Sequence, residues 1–209
     1  VNFLALVAGS LGKIGFDVML LMATEIGEAS EPFASHRGSS STMPQKRNPI
    51  SSELLVANAK AVRQQAGLML DAMVSDLERA SGPWHIEWMA VPESFVLTAG
   101  ALAQARFLLE GLTVDEARMT ANLTSTNGLI VAEAVMMGLA PAMGRQAAHD
   151  AVYDACREAI TGGGSLLAAL SKRADVTAAL SSDQLARLCD PANYVGAAPQ
   201  MVDVVLAGR

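Results

Sequence analysis

Between Gly38 and Pro49 the chain reads Gly-Ser-Ser-Ser-Thr-Met-Pro-Gln-Lys-Arg-Asn-Pro. This run places three serine hydroxyls in a row, then Thr42, with backbone amides freed by Gly38. Two cations, Lys46 and Arg47, and the neutral donor Asn48 follow. Hydroxyls, amides and a nearby cation suit a carboxylate, or an enolate-like oxyanion that develops during a reaction. Pro44 and Pro49 stiffen the far end, so the donors can be arranged before a ligand arrives. On composition alone the same run also reads as a solvated Ser-rich linker.

Other chemistry-bearing residues are sparse. The three histidines, His36, His85 and His149, show no i, i+2 or i, i+4 pairing, so no zinc or other metal site is expected. His85 beside Trp84 reads as an edge-of-core residue. His36 reads as a solvent-facing loop histidine, and His149 and Arg145 read as structural. Arg47 reads equally as a substrate contact or a solvated charge, and Glu78 as the partner of a neighbouring cation. The eleven methionines read as core filler.

The elements that must hold this run are helical. Half the chain (51%) is apolar while aromatics are only 4%, a balance rich in Ala, Leu and Met rather than in strand formers. Disorder is excluded by that apolar share, and a disulfide framework by having only Cys156 and Cys189. A net charge of −6 argues against nucleic-acid binding. The mean hydropathy of +0.30 raises the membrane question, but no clean apolar run of about 20 residues stands out, so no membrane association is expected. Two reduced thiols fit a cytoplasmic setting.

Apolar spacing predicts a long helix over 3–29, loosened at Gly12 and Gly15, and a loop over 30–50. It predicts a second helix, capped by Ser51 or Ser52, to about Arg79. Ser81-Gly82-Pro83 ends it, an aromatic segment Trp84–Trp88 follows, and Pro92 opens a third helix to about Glu110. Beyond Gly111-Leu112-Thr113 the elements shorten, with Asp183 a candidate N-cap. Two parts are therefore expected: 1–112, belonging to a long helical bundle, and 113–209, a small helical domain. The pattern begins in mid-helix at Val1, which reads as the interior of a larger protein.

The run Ser40-Ser41-Thr42-Met43-Pro44-Gln45-Lys46-Arg47-Asn48-Pro49 resembles the signature loop of the fumarase/aspartase superfamily, G-S-S-x-M-P-x-K-x-N-P, with Ser39 at the family's glycine. Glu78-Arg79 and Gly82-Pro83-Trp84-His85-Ile86-Glu87-Trp88 resemble its bacterial 3-carboxy-cis,cis-muconate cycloisomerase branch. Asn122, Gly128, Glu133, Gly144-Arg145 and Ala148-His149 resemble that branch's C-terminal helical domain. The resemblance implies an all-α fold, with a central helical bundle followed by a small C-terminal domain. It also implies that the family's N-terminal domain, and a histidine used in catalysis, precede Val1.

The implied activity is lactone formation from 3-carboxy-cis,cis-muconate, giving 4-carboxymuconolactone in the protocatechuate branch of aromatic breakdown. An adenylosuccinate- or argininosuccinate-type lyase is the alternative enzyme, and a catalytically silent helical protein the alternative of another class. By the resemblance, Ser40 matches the catalytic acid/base. Lys46 and Asn48 match substrate-binding residues, Arg79 an arginine near the site, and Ser41, Thr42 and Met43 loop contacts. No cofactor or metal is implied. The implied partners are a small di- or tricarboxylate substrate and three further copies of the chain, in a homotetramer with shared active sites.

Overall fold

The computed structural model describes residues 1–32, Met43 and residues 46–208. Among these the regular structure is almost entirely helical, with two strands of two residues each, and the chain divides into two compact units, Val1–Arg118 and Met119–Arg209.

The first unit is built on three long helices, α1 (Asn2–Leu21), α2 (Ile50–Ala72) and α3 (Pro83–Glu110). They pack through Val18, Leu55, Ala101, Ala105 and Leu108, with Leu11 and Leu112 at the margin. Gly12 and Gly15 do not loosen α1; they let α2 come close. A Cβ on Gly12 would lie 2.6 Å from the Ala59 Cβ, and one on Gly15 2.8 Å from the Ser52 carbonyl oxygen. The α1 helix stops at Leu21, short of the expected 29, and a turn leads to the two-residue strand β1 (Ala29–Ser30). By length and composition α1 could span a membrane, contrary to the expectation of no such segment. Its Ala8, Gly12, Gly15 and Val18 are nevertheless buried.

Two other boundaries differ from the sequence reading. The α2 helix ends at Ala72, seven residues early, and α3 starts at Pro83, so the aromatic segment is its first turn. Pro92 lies inside α3, where its missing N–H removes one ladder bond without ending the helix. The strand β2 (Thr113–Val114) pairs antiparallel with β1, Ala29 against Val114 and Ser30 against Thr113. This pairing, and Arg118 donating to the carbonyls of Glu25 and Ile26 at 2.8 Å each, keep 113–118 with the first unit. The division accordingly falls after Arg118 rather than after Leu112.

The helix α4 (Glu116–Thr124) leads into the second unit. There α5 (Ala132–Met143), α6 (Arg145–Gly162), α7 (Leu166–Ser171), α8 (Ala174–Ala179) and α9 (Ser182–Leu188) surround one core. Leu139, Leu166, Leu170, Val176 and Leu185 are at its centre. The α9 N-cap is Ser181, not Asp183: Ser181 and Gln184 satisfy each other's backbone N–H groups in a capping box. The last helix, α10 (Ala198–Ala207), exposes Met201, Val204 and Val205.

Candidate carboxylate site

The candidate site begins at a stem. Past α1, Gly27 adopts φ +63°, a conformation in which a side chain would be strained. The β1–β2 pair is extended by the Asp115 N–H, which donates to the Glu28 carbonyl at 2.9 Å. Pro32 then seats on Gly111 at the end of α3, where a Cβ would come within 2.6 Å of the Pro32 Cβ. The residues from Ala29 to Pro32 are thus fixed before the signature run starts.

At the other end the chain enters α2 behind Pro49, whose side chain makes no cap. Ser51 and Ser52 do not cap the helix with their hydroxyls either. Glu31, 8% exposed, does so from across the loop. The Ser51 N–H donates to Glu31 Oε2 at 3.1 Å and the Ser52 N–H to Oε1 at 2.7 Å. The Ser51 hydroxyl turns to Gln104 Oε1 of α3 at 3.4 Å. A buried carboxylate costs free energy unless its oxygens are satisfied, and here each oxygen accepts a main-chain N–H at the positive end of a helix. Sequence reading missed both Glu31 and Gln104. The available signal was indirect: a helix whose N-cap position is held by Pro49, which has no side-chain acceptor.

Lys46 and Arg47 are exposed, Asn48 is half-buried and Met43 is 45% exposed. The Lys46 N–H donates to the Met43 carbonyl at 3.0 Å and the Ile50 N–H to the Asn48 carbonyl at 2.9 Å. Two cations and an amide therefore stand just before α2, a donor set that suits an anionic ligand, while the first N–H groups of the helix itself are taken by Glu31. The residues Ser40, Ser41 and Thr42 lie outside the described residues, as does His36.

Arg79 is not brought to this place within one chain. Its guanidinium sits over the Trp84 ring, 5.2 Å from the centroid. Trp84 also meets His85 and Trp88 edge-on, at centroid separations of 5.8 and 5.0 Å. Trp84 opens α3, whereas Gln104, which reaches Ser51, lies about 30 Å further along it at 1.5 Å per residue. A cleft of about 310 Å³ is lined by Ala134, Leu180, Arg187 and Tyr194, and one of about 460 Å³ by Leu123, Asn127, Ser165 and Cys189. Neither is lined by Lys46 or Asn48.

Displaced titrations cluster in the second unit. Burial pushes the Cys156 and Cys189 thiols up. The hydrogen bond to Arg173 holds the Asp175 carboxyl below the usual carboxylate range. The hydrogen bond from the Tyr194 hydroxyl to Glu133, at 3.0 Å, raises Tyr194. Both cysteines are free. Among the described residues no three His, Cys, Asp or Glu side chains converge as metal ligands would.

Comparison with known proteins gives two family matches. Residues 1–64 match the family described as "Lyase" and residues 128–205 that described as "Adenylosuccinate lyase C-terminus". A 3-carboxy-cis,cis-muconate cycloisomerase of Pseudomonas aeruginosa is 52% identical over 206 residues, 99% of this chain and 45% of that protein. Trans-aconitate decarboxylase 1 of Mycosarcoma maydis is 50% identical over 206 residues, 99% of this chain and 42% of that one. Among solved structures, the 3-carboxy-cis,cis-muconate lactonizing enzyme of Pseudomonas putida superposes with a TM-score of 0.85 at 43% identity. That match covers 99% of this chain and 45% of the other. The chain spans about half the length of the relatives it matches.

Proposed function

Because the chain belongs to the fumarase/aspartase superfamily, we propose that the full-length polypeptide carrying it is a 3-carboxy-cis,cis-muconate cycloisomerase. One carboxylate of the substrate adds to its own double bond and closes the ring of 4-carboxymuconolactone, a step in protocatechuate breakdown. The observation that supports this reading most is the signature run, whose Lys46, Arg47 and Asn48 stand at the start of a helix.

The reaction passes through a species with two negative oxygens on the carboxylate next to the reacting carbon. Donors aimed at those oxygens lower the barrier when they bind that species better than the ground state. Lys46 neutralises a substrate carboxylate and Asn48 orients it, while Ser41, Thr42 and Met43 supply further substrate contacts. Ser40 either moves the proton or holds a carboxylate. As an alcohol it needs a donor-rich, positively charged setting to do the first.

The assembly we propose is a homotetramer in which each site draws on several copies. Two features support it: Arg79 and Lys46 lie beyond opposite ends of α2, and the long helices expose many large apolar side chains. Phe3 is 74% exposed, Phe95 59% and Val96 70%. Monomeric proteins seldom leave this much apolar surface uncovered. We place the enzyme in the cytoplasm, in keeping with its two free thiols.

The test is product identity. Full-length protein is incubated with 3-carboxy-cis,cis-muconate and the product is identified by NMR. Trans-aconitate and adenylosuccinate serve as competing substrates. Lactone from the first alone is expected; carbon dioxide from trans-aconitate, or AMP from adenylosuccinate, overturns the reading. Ser40→Ala and Lys46→Ala are each expected to lower kcat/KM about 100-fold or more, and unchanged turnover removes the residue from its role.

A further inference from the structure

We propose that Glu31 is a positioning residue for the carboxylate site, clasping the first turn of α2 to the end of β1 so that Lys46 and Asn48 are presented in one fixed place. The clasp is a matter of geometry; only its effect on substrate rests on the function proposed above.

A helix leaves its first N–H groups without partners inside the helix. A serine or aspartate N-cap normally takes them, but α2 has Pro49 in that position. Both carboxylate oxygens of Glu31 are used instead, one on the Ser51 amide and one on the Ser52 amide. An N-cap fixes a helix only to the residue just before it. Glu31 fixes α2 to a distant, already rigid strand, whose position is set by the β1–β2 pairing and by Pro32 against Gly111. Ser51 carries the connection on to Gln104 of α3.

The clasped amides are close to the ligand-facing residues. Only Pro49 and Ile50 separate Ser51 from Asn48, and the Ile50 N–H returns to the Asn48 carbonyl. A shift in the first turn of α2 is therefore passed to the backbone of Asn48. Charge-assisted bonds to main-chain N–H groups are stronger and shorter than neutral ones, which makes a carboxylate better suited to this task than an amide. In Glu31→Gln one oxygen still accepts, but the NH2 faces the second N–H donor.

The test uses the full-length polypeptide with Glu31→Gln, and reads amide exchange by NMR and steady-state kinetics on the folded fraction. Exchange is expected to speed up about tenfold or more at Lys46, Ile50, Ser51 and Ser52, with Ala8 and Leu108 unchanged. KM for 3-carboxy-cis,cis-muconate is expected to rise about tenfold, with kcat changing less. Loss of thermal stability with an unchanged KM means a structural cap only and overturns the proposal. So does faster exchange confined to Ser51 and Ser52. If Glu31→Gln does not fold, Glu31→Asp, which keeps the charge on a shorter arm, is judged by the same readings. If the wild-type protein makes no lactone, the functional reading fails by itself, and exchange at Lys46 and Ile50 still decides the role of Glu31.

Discussion

Asp175 and Arg173 show how little a visible ion pair settles by itself. The guanidinium donates to both carboxylate oxygens, at 3.2 and 2.9 Å, yet the Asp175 side chain is 48% exposed. Water screens such a pair, so its worth is about 0.5 kcal/mol. The sign of its pH dependence is nonetheless fixed. The folded-state pKa is lowered, so the contribution is present above the unfolded aspartate value of about 3.9 and is lost as pH falls through the folded one. Asp175→Asn is expected to lower the urea midpoint slightly at pH 7, and the difference from wild type should vanish near pH 2. Glu31 is the opposite case: it is buried with both oxygens occupied by main-chain donors, so its replacement is expected to cost more.

The elements make their own predictions. Gly9 and Gly15 both lie on α1, but nothing comes within 4 Å of a Cβ at Gly9, while one at Gly15 meets the Ser52 carbonyl at 2.8 Å. Gly9→Ala is expected to stabilise by up to about 1 kcal/mol, since alanine suits a helix better. Gly15→Ala is expected to destabilise by about 1–3 kcal/mol through overpacking. Urea unfolding of the two variants provides the comparison. Ser181→Ala, which removes the cap of α9, should cost about 1 kcal/mol by the same measurement. The helices themselves were legible because apolar residues recur at helical spacing over long stretches. What the spacing could not reveal was the close approach at Gly12 and Gly15, since a glycine reads as a weak point until its neighbour is known. Pro92 misled for a similar reason: local preference puts proline at a helix start, and the burial of Ala90, Ser94 and Thr98 on either side of it along α3 overrode it. Lys46 and Asn48 could be named from their pattern. Glu31 could not, because its partners are 20 and 21 positions away and no short motif joins them.

On the scale of the whole molecule, the apolar excess noted in the composition has two destinations. Part of it fills the cores of the two units. Much of the rest lies on the surfaces of α1, α2 and α3, at Phe3, Leu6, Phe16, Leu54, Trp88 and Phe95. Sedimentation equilibrium of the full-length protein should give a tetrameric mass, and Phe95→Lys should shift it towards smaller species. The separate cores have a thermodynamic consequence. In the tetramer proposed above, copies that cover the exposed apolar residues of α1, α2 and α3 would add stability to the first unit by mass action, whereas the core of the α5–α9 unit is filled by its own leucines. Calorimetry should therefore resolve two melting events. One should climb in temperature as the protein is concentrated. The other, belonging to the α5–α9 unit, should stay where it is at any dilution.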